Sequence, residues 1–129
     1  AAVNLEAPKK LTMMMAGREA GVGAVVNVLD SQVLFPTSQP SLPYISSKRE
    51  LQAFTLSSAM MFAASLRVNA VAPGPVLAPT DVHVKAGETL LDRRPTAEDV
   101  AAAVSFLLAA EAVTGTVIPV DAGQHLLEK

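Results

Sequence analysis

The feature that most constrains this chain is a set of three short apolar runs, Ala24–Leu29, Leu66–Ala72 and Gly115–Val120, each separated from the next by more than thirty residues. Such runs are too short for buried helices and too far apart for hairpins, so they read as strands of one buried sheet. The stretches between them carry helical signals. From Tyr44 to about Ala64 there is neither Gly nor Pro, and Leu51, Phe54, Ser58 and Met61 share one face. Thr96, with Asp99 three residues on, reads as a capping box before a helix whose apolar stripe is Val100, Val104, Leu107 and Leu108. Strand, helix, strand, helix, strand with connections this long demands a parallel sheet with right-handed crossovers. Pro119 has no N–H to give to a ladder, which places the third strand at the sheet edge.

The remaining segments are punctuated by glycine and proline. Leu5, Pro8, Leu11, Met14 and Met15 recur at helical spacing, predicting a helix over 5–20 that Gly21-Val22-Gly23 stops. That glycine pair precedes a strand and lacks a third glycine, so it is a turn and not a dinucleotide fingerprint. Pro36, Pro40 and Pro43 exclude regular structure after the first strand, Pro73-Gly74-Pro75 closes the second, and Val76–Arg94 reads as a loop with a short helix. Three strands are few for a sheet that must be covered on both faces. The expected fold class is therefore α/β, the C-terminal half of a Rossmann-type doubly wound parallel sheet, with residues 1–129 forming a single partial domain.

Composition removes several classes of function. Half of the 129 residues are apolar but only 4% are aromatic, which suits tightly packed helices on a sheet. There is no cysteine, hence no disulfide scaffold, thiolate metal site or cysteine nucleophile. A net charge of −2, with no basic run longer than two residues, offers no footprint for nucleic acid. The run Val100–Ala110 is too short to span a bilayer, and the absence of a secretory pattern at the start makes a cytoplasmic location the expectation. His83 and His125 have no partners at metal-ligand spacing and read as ordinary loop residues, His125 being able to touch a neighbouring subunit. Met13-Met14-Met15 and Met60-Met61 read as adaptable packing.

The chemistry centres on Tyr44 and Lys48. A spacing of four puts the phenol and the ammonium on one helix face, one turn apart. A nearby cation stabilises phenolate and so draws the tyrosine pKa down from about 10, making Tyr44 a candidate proton donor. Around this pair, Asn4, Val-Val-Asn-Val-Leu-Asp at 25–30, Arg-Val-Asn-Ala-Val-Ala-Pro-Gly at 67–74 and Val-Thr-Gly-Thr-Val-Ile-Pro-Val-Asp-Ala-Gly at 113–123 follow in order. Their order and spacing resemble the short-chain dehydrogenase/reductase family over nearly the whole chain. The resemblance implies a Rossmann-type domain and a nicotinamide cofactor, NADPH with NADH as the alternative. It further implies that Asn4 holds a water linked to Lys48, that Lys48 binds the nicotinamide ribose, and that Pro73 and Gly74 pack against the nicotinamide. Val28, Leu29 and Val76 complete the implied cofactor contacts.

The family's serine position is ambiguous here. Counting forward from Asn27 on the strand reaches Asp30; counting thirteen back from Tyr44 reaches Ser31. The Pro- and Ser-rich segment from Gln32 to Pro43 can absorb an extra residue, whereas a strand cannot slip without reversing its faces, which favours Asp30. An aspartate there, with the ending Asp121-Ala-Gly-Gln-His125-Leu126, resembles the pteridine reductases and dihydromonapterin reductases of the family. That resemblance implies a pterin-like substrate touching Asp30, Ser31 and Tyr44, with Asp30 and Tyr44 assisting protonation while the cofactor supplies hydride. If Ser31 is the catalytic hydroxyl, a carbonyl or oxoacyl substrate is implied instead. These 129 residues hold no glycine-rich phosphate loop, so an inactive remnant acting only through subunit association is a further alternative. The family pairs its subunits through the helices expected at 5–20 and 44–64, implying a homodimer or homotetramer.

Overall fold

The computed structural model describes residues 2–17, 21–34, 43–76 and 89–127, and of these the side chains of 2–4 and 43–45 lie outside the description. The elements run α1 (Ala2–Ala16), β1 (Gly23–Val28), a 3₁₀ turn (Ser31–Leu34), α2 (Pro43–Met61), β2 (Leu66–Pro73), α3 (Ala97–Ala109), β3 (Val117–Val120) and a one-turn helix α4 (Gln124–Leu127). The three strands form one parallel sheet in the order β1-β2-β3, with Val25 opposite Val68 and Ala72 opposite Pro119.

β2 is central, and it is the most buried strand because both of its faces are covered. Leu66, Val68, Ala70 and Ala72 meet α2 together with Leu29, Leu51 and Ala59, and are buried completely or nearly so. Arg67 and Asn69, on the opposite pleat, serve the α3 side. The Arg67 guanidinium donates to the carbonyls of Leu107 and Leu108 at 2.8 and 2.9 Å, capping a helix C-terminus where a cation is favoured. Asn69 accepts from Thr116 N–H and donates to Val113 C=O, holding the chain as it enters β3. Pro119 lies at the edge as expected. Gly74 N–H donates to Val120 C=O and Ala70 N–H to Thr116 C=O, so the even-numbered residues face β2 and the missing proline donor faces outward.

Several boundaries differ from the sequence expectations. α1 ends at Ala16 with a turn at Gly17, so Gly17 and not Gly21–Gly23 closes it; residues 18–20 lie outside the described residues. Its inward face is Leu5, Pro8, Thr12 and Met15, whereas Leu11 and Met14 are exposed, because a stripe one position off turns about 100° around the axis. Pro43 belongs to α2 as its first residue, where a missing N–H costs nothing. That helix stops at Met61, since the chain must reverse through 62–65 to bring Leu66 beside Gly23, and Met61 is exposed. On α3 the Thr96–Asp99 capping box is present and Leu107 is buried, but Leu108 points to solvent. β3 begins at Val117, because Gly115 takes a positive φ of 75° and Thr116 is held by Asn69. Most of the loop over 76–94, with His83, lies outside the described residues. Met13, Met14, Met60 and Met61 are exposed, so only Met15 of the two methionine groups fills core space. Among the described residues no helix is long and apolar enough to cross a membrane.

Candidate active site

Parallel strands end on the same side, so the sheet gathers the residues that follow β1, β2 and β3 at one rim, the place where α/β sheets bind ligands. At the end of β1 the Asn27 side chain is buried and donates to Thr55 Oγ1 at 2.9 Å, and that hydroxyl donates to Leu51 C=O at 2.8 Å. This link ties α2 to the strand. Two turns nearer the helix start, Lys48 Nζ donates to Val28 C=O at 3.0 Å, which sets the ammonium at the rim. Tyr44 lies one turn before Lys48 in α2, on the same face by helix geometry, and its phenol lies outside the described side chains. Asn4 lies in α1, and its side chain is likewise outside the description.

Asp30 opens the turn after β1. Its Oδ1 accepts from Gln32 N–H at 2.9 Å and its carbonyl from Val33 N–H at 3.0 Å, an Asx-turn that starts the 3₁₀ segment. The residue is partly exposed, while Ser31 is buried at 1% exposure. Val28 and Val76 are exposed at the rim; Leu29 instead packs in the core with Leu51, Ala70 and Ala72, leaving only its backbone available there.

Pro73 ends β2, and Gly74 is required by close approach. A Cβ at Gly74 would lie 2.8 Å from Asp121 Cβ and 3.1 Å from Asp121 Cα. Asp121, buried after β3, accepts from Gly123 N–H at 3.1 Å, from His125 N–H at 2.8 Å, and contacts His125 Nδ1 at 2.9 Å. His125 is therefore no ordinary loop residue: it sits on α4, fixed by a buried carboxylate. Sequence reading missed this pair because only the fold brings Asp121 beside Gly74; the i,i+4 spacing of Asp121 and His125 was the available signal. Residues 2–125 match the family described as Enoyl-(Acyl carrier protein) reductase.

The chain belongs to the short-chain dehydrogenase/reductase family. It is 40% identical over 117 residues to cis-4-hydroxycyclohexanecarboxylate dehydrogenase of Sinomonas cyclohexanicum, covering 81% of this chain and 45% of that protein. To pteridine reductase 1 of Leishmania tarentolae it is 36% identical over 115 residues, covering 80% of this chain and 38% of that one. Among solved structures, FolM alternative dihydrofolate reductase 1 from Brucella canis, complexed with NADP, superposes with a TM-score of 0.84 at 34% identity. That match covers 97% of this chain and 52% of the other. The chain thus spans about half the length of these short-chain dehydrogenase/reductase relatives, or less.

Proposed function

We propose that this chain forms the catalytic side of an NADPH-dependent oxidoreductase that reduces a pterin-like substrate. The observation that carries the reading is the contrast at the end of β1: Asp30 is partly exposed at the rim, while the neighbouring Ser31 is buried. A carboxyl group can accept from the amino and ring N–H donors of an aromatic heterocycle, and does so more strongly than a hydroxyl. The names of two relatives, a pteridine reductase and an alternative dihydrofolate reductase complexed with NADP, support the same substrate class and cofactor.

The residues at the rim fit a nicotinamide group. Lys48 brings an ammonium to the end of β1, Gly74 leaves the turn after β2 without a side chain, and the exposed Val28 and Val76 offer apolar surface beside it. The cofactor, when bound, supplies the hydride. Lys48 would donate to the ribose hydroxyls, Pro73 and Gly74 would line the ring, and Asn4 would hold a water linked to Lys48. Tyr44 would give the proton that balances the hydride, Lys48 favouring the phenolate left behind, and Asp30 would orient the heterocycle and assist protonation at its ring. The exposed apolar faces of α1 and α2, with Leu11, Met13, Met14, Leu56, Met60 and Met61, would pair subunits into a homodimer or homotetramer.

NADPH oxidation by the complete protein, measured against a dihydropterin and against a simple ketone, tests the reading. Asp30→Ala should lose pterin turnover heavily and Ser31→Ala should stay close to the parent. The reverse order would refute the pterin assignment and move the enzyme to a serine-type carbonyl or oxoacyl reductase.

A further inference from the structure

The segment after β3 touches both neighbouring turns of the rim. Asp121 is 2% exposed, and a carboxylate only accepts hydrogen bonds, so Nδ1 of His125 is the donor in their contact. Between the two residues the backbone turns through Ala122 and Gly123, with φ of 53° and 82°, which directs α4 back across the sheet end. The Ala122 carbonyl accepts from Leu90 and Leu91 N–H, so the incoming loop is fixed to the same turn. In front of His125 lies a cavity of about 370 Å³ lined by Leu91, Pro119 and the Arg93–Asp99 ion pair among others.

Two contacts lead from this turn to the candidate site. Asp121 Cβ occupies the space that a side chain at position 74 would need, so the turn after β2 rests directly on it. α4 packs against the 3₁₀ turn Ser31–Leu34, whose first hydrogen bonds are made to Asp30. A four-residue helix has no stability of its own, because one turn does not repay the cost of nucleation. Its position is therefore set by what holds its first turn, and that is the buried carboxylate accepting from His125 N–H and Nδ1.

We propose that Asp121 and His125 are a positioning pair that seats α4 on the Ser31–Leu34 turn and thereby fixes the orientation of the Asp30 carboxylate. The functional meaning rests on the reading of Asp30 as a substrate contact, whereas the positioning stands on geometry alone. Neither residue touches the substrate in this scheme. The pair would act on specificity by holding the acid in place for a planar heterocycle.

Amide hydrogen exchange on the intact protein tests this with two variants of His125, a partly exposed side chain. His125→Leu removes the donor, and His125→Asn keeps an N–H near the Nδ1 position. Exchange at Gln32 and Val33, whose N–H groups bond to Asp30, should quicken at least about tenfold in His125→Leu, as expected for loss of a charge-assisted hydrogen bond. Exchange at Ala70, in the buried centre of β2, should not change, and His125→Asn should restore most of the protection at Gln32 and Val33. Unchanged exchange at Gln32 and Val33, or an equal loss at Ala70, would overturn the proposal, the latter by showing a general structural role. Pterin turnover by the same variants keeps the two readings apart. If exchange behaves as stated while kcat stays at the parent level, the positioning holds and the assignment of Asp30 to the substrate fails.

Discussion

Gly74→Ala gives the most direct test of how the rim is built. The new Cβ would sit 2.8 Å from Asp121 Cβ and 3.1 Å from Asp121 Cα, whereas carbon atoms pack comfortably at about 3.5 Å or more. Asp121 cannot move aside freely, because its carboxylate holds three N–H groups in a buried position. The turn must shift instead, which costs about 1–3 kcal/mol as overpacking. The same shift strains the 3.0 Å bond from Gly74 N–H to Val120 C=O, worth about 1 kcal/mol. Reduced freedom of the unfolded chain returns about 0.4–1 kcal/mol. The net expectation is a destabilisation of about 2 kcal/mol, read as a lower urea midpoint at unchanged slope. Gly21→Ala is the control: nothing lies within 4 Å of its added Cβ, and only its φ of 58° resists, at about 1 kcal/mol. A Gly74→Ala protein as stable as the parent, or more stable than Gly21→Ala, would refute the close-approach argument.

Three further outcomes follow. Tyr44→Phe should lower turnover on the order of a hundredfold or more while leaving cofactor affinity near the parent value, and steady-state kinetics showing more than about a tenth of parent kcat would contradict its role as proton donor. Ala122→Gly should raise the thermal midpoint slightly, by about 0.5 kcal/mol of stability, because relief of a left-handed alanine outweighs the added chain entropy; a fall on calorimetric melting would show that the turn is not strained. The Asp99 carboxyl is held below its usual value of 3.8, chiefly by the Thr96 backbone N–H, with the Thr96 hydroxyl and Arg93 adding to the effect. A lowered folded-state pKa stabilises at pH above 3.8 and that contribution disappears as pH falls through the folded value, so urea midpoints of Asp99→Asn should lack the part of the acid-side decline that this group causes.

Much of the architecture was legible from local pattern. The three strands, the edge position given by Pro119 and the capping box at Thr96 depend on residues within a few positions of one another, where backbone sterics and hydrogen-bond inventory decide the outcome, and the parallel pairing follows from the length of the connections. The pairing of Tyr44 with Lys48 on one helix face is of the same kind. Where the stripe lay on α1, or where α2 ended, was not legible, since several faces of those helices are apolar and only the position of the sheet selects one.

The sequence by itself determined which residues could carry chemistry, because residue type and spacing are local properties. What only the tertiary structure decided was which of them meet. Arg67 reaches the end of α3 across some forty positions, Asn69 reaches Val113 and Thr116 across a similar gap, and Asp121 comes to rest against Gly74. The burial of Asp30 and Ser31 has the same origin: the packing of their turn against α2 and α4 buries Ser31 and leaves Asp30 partly exposed.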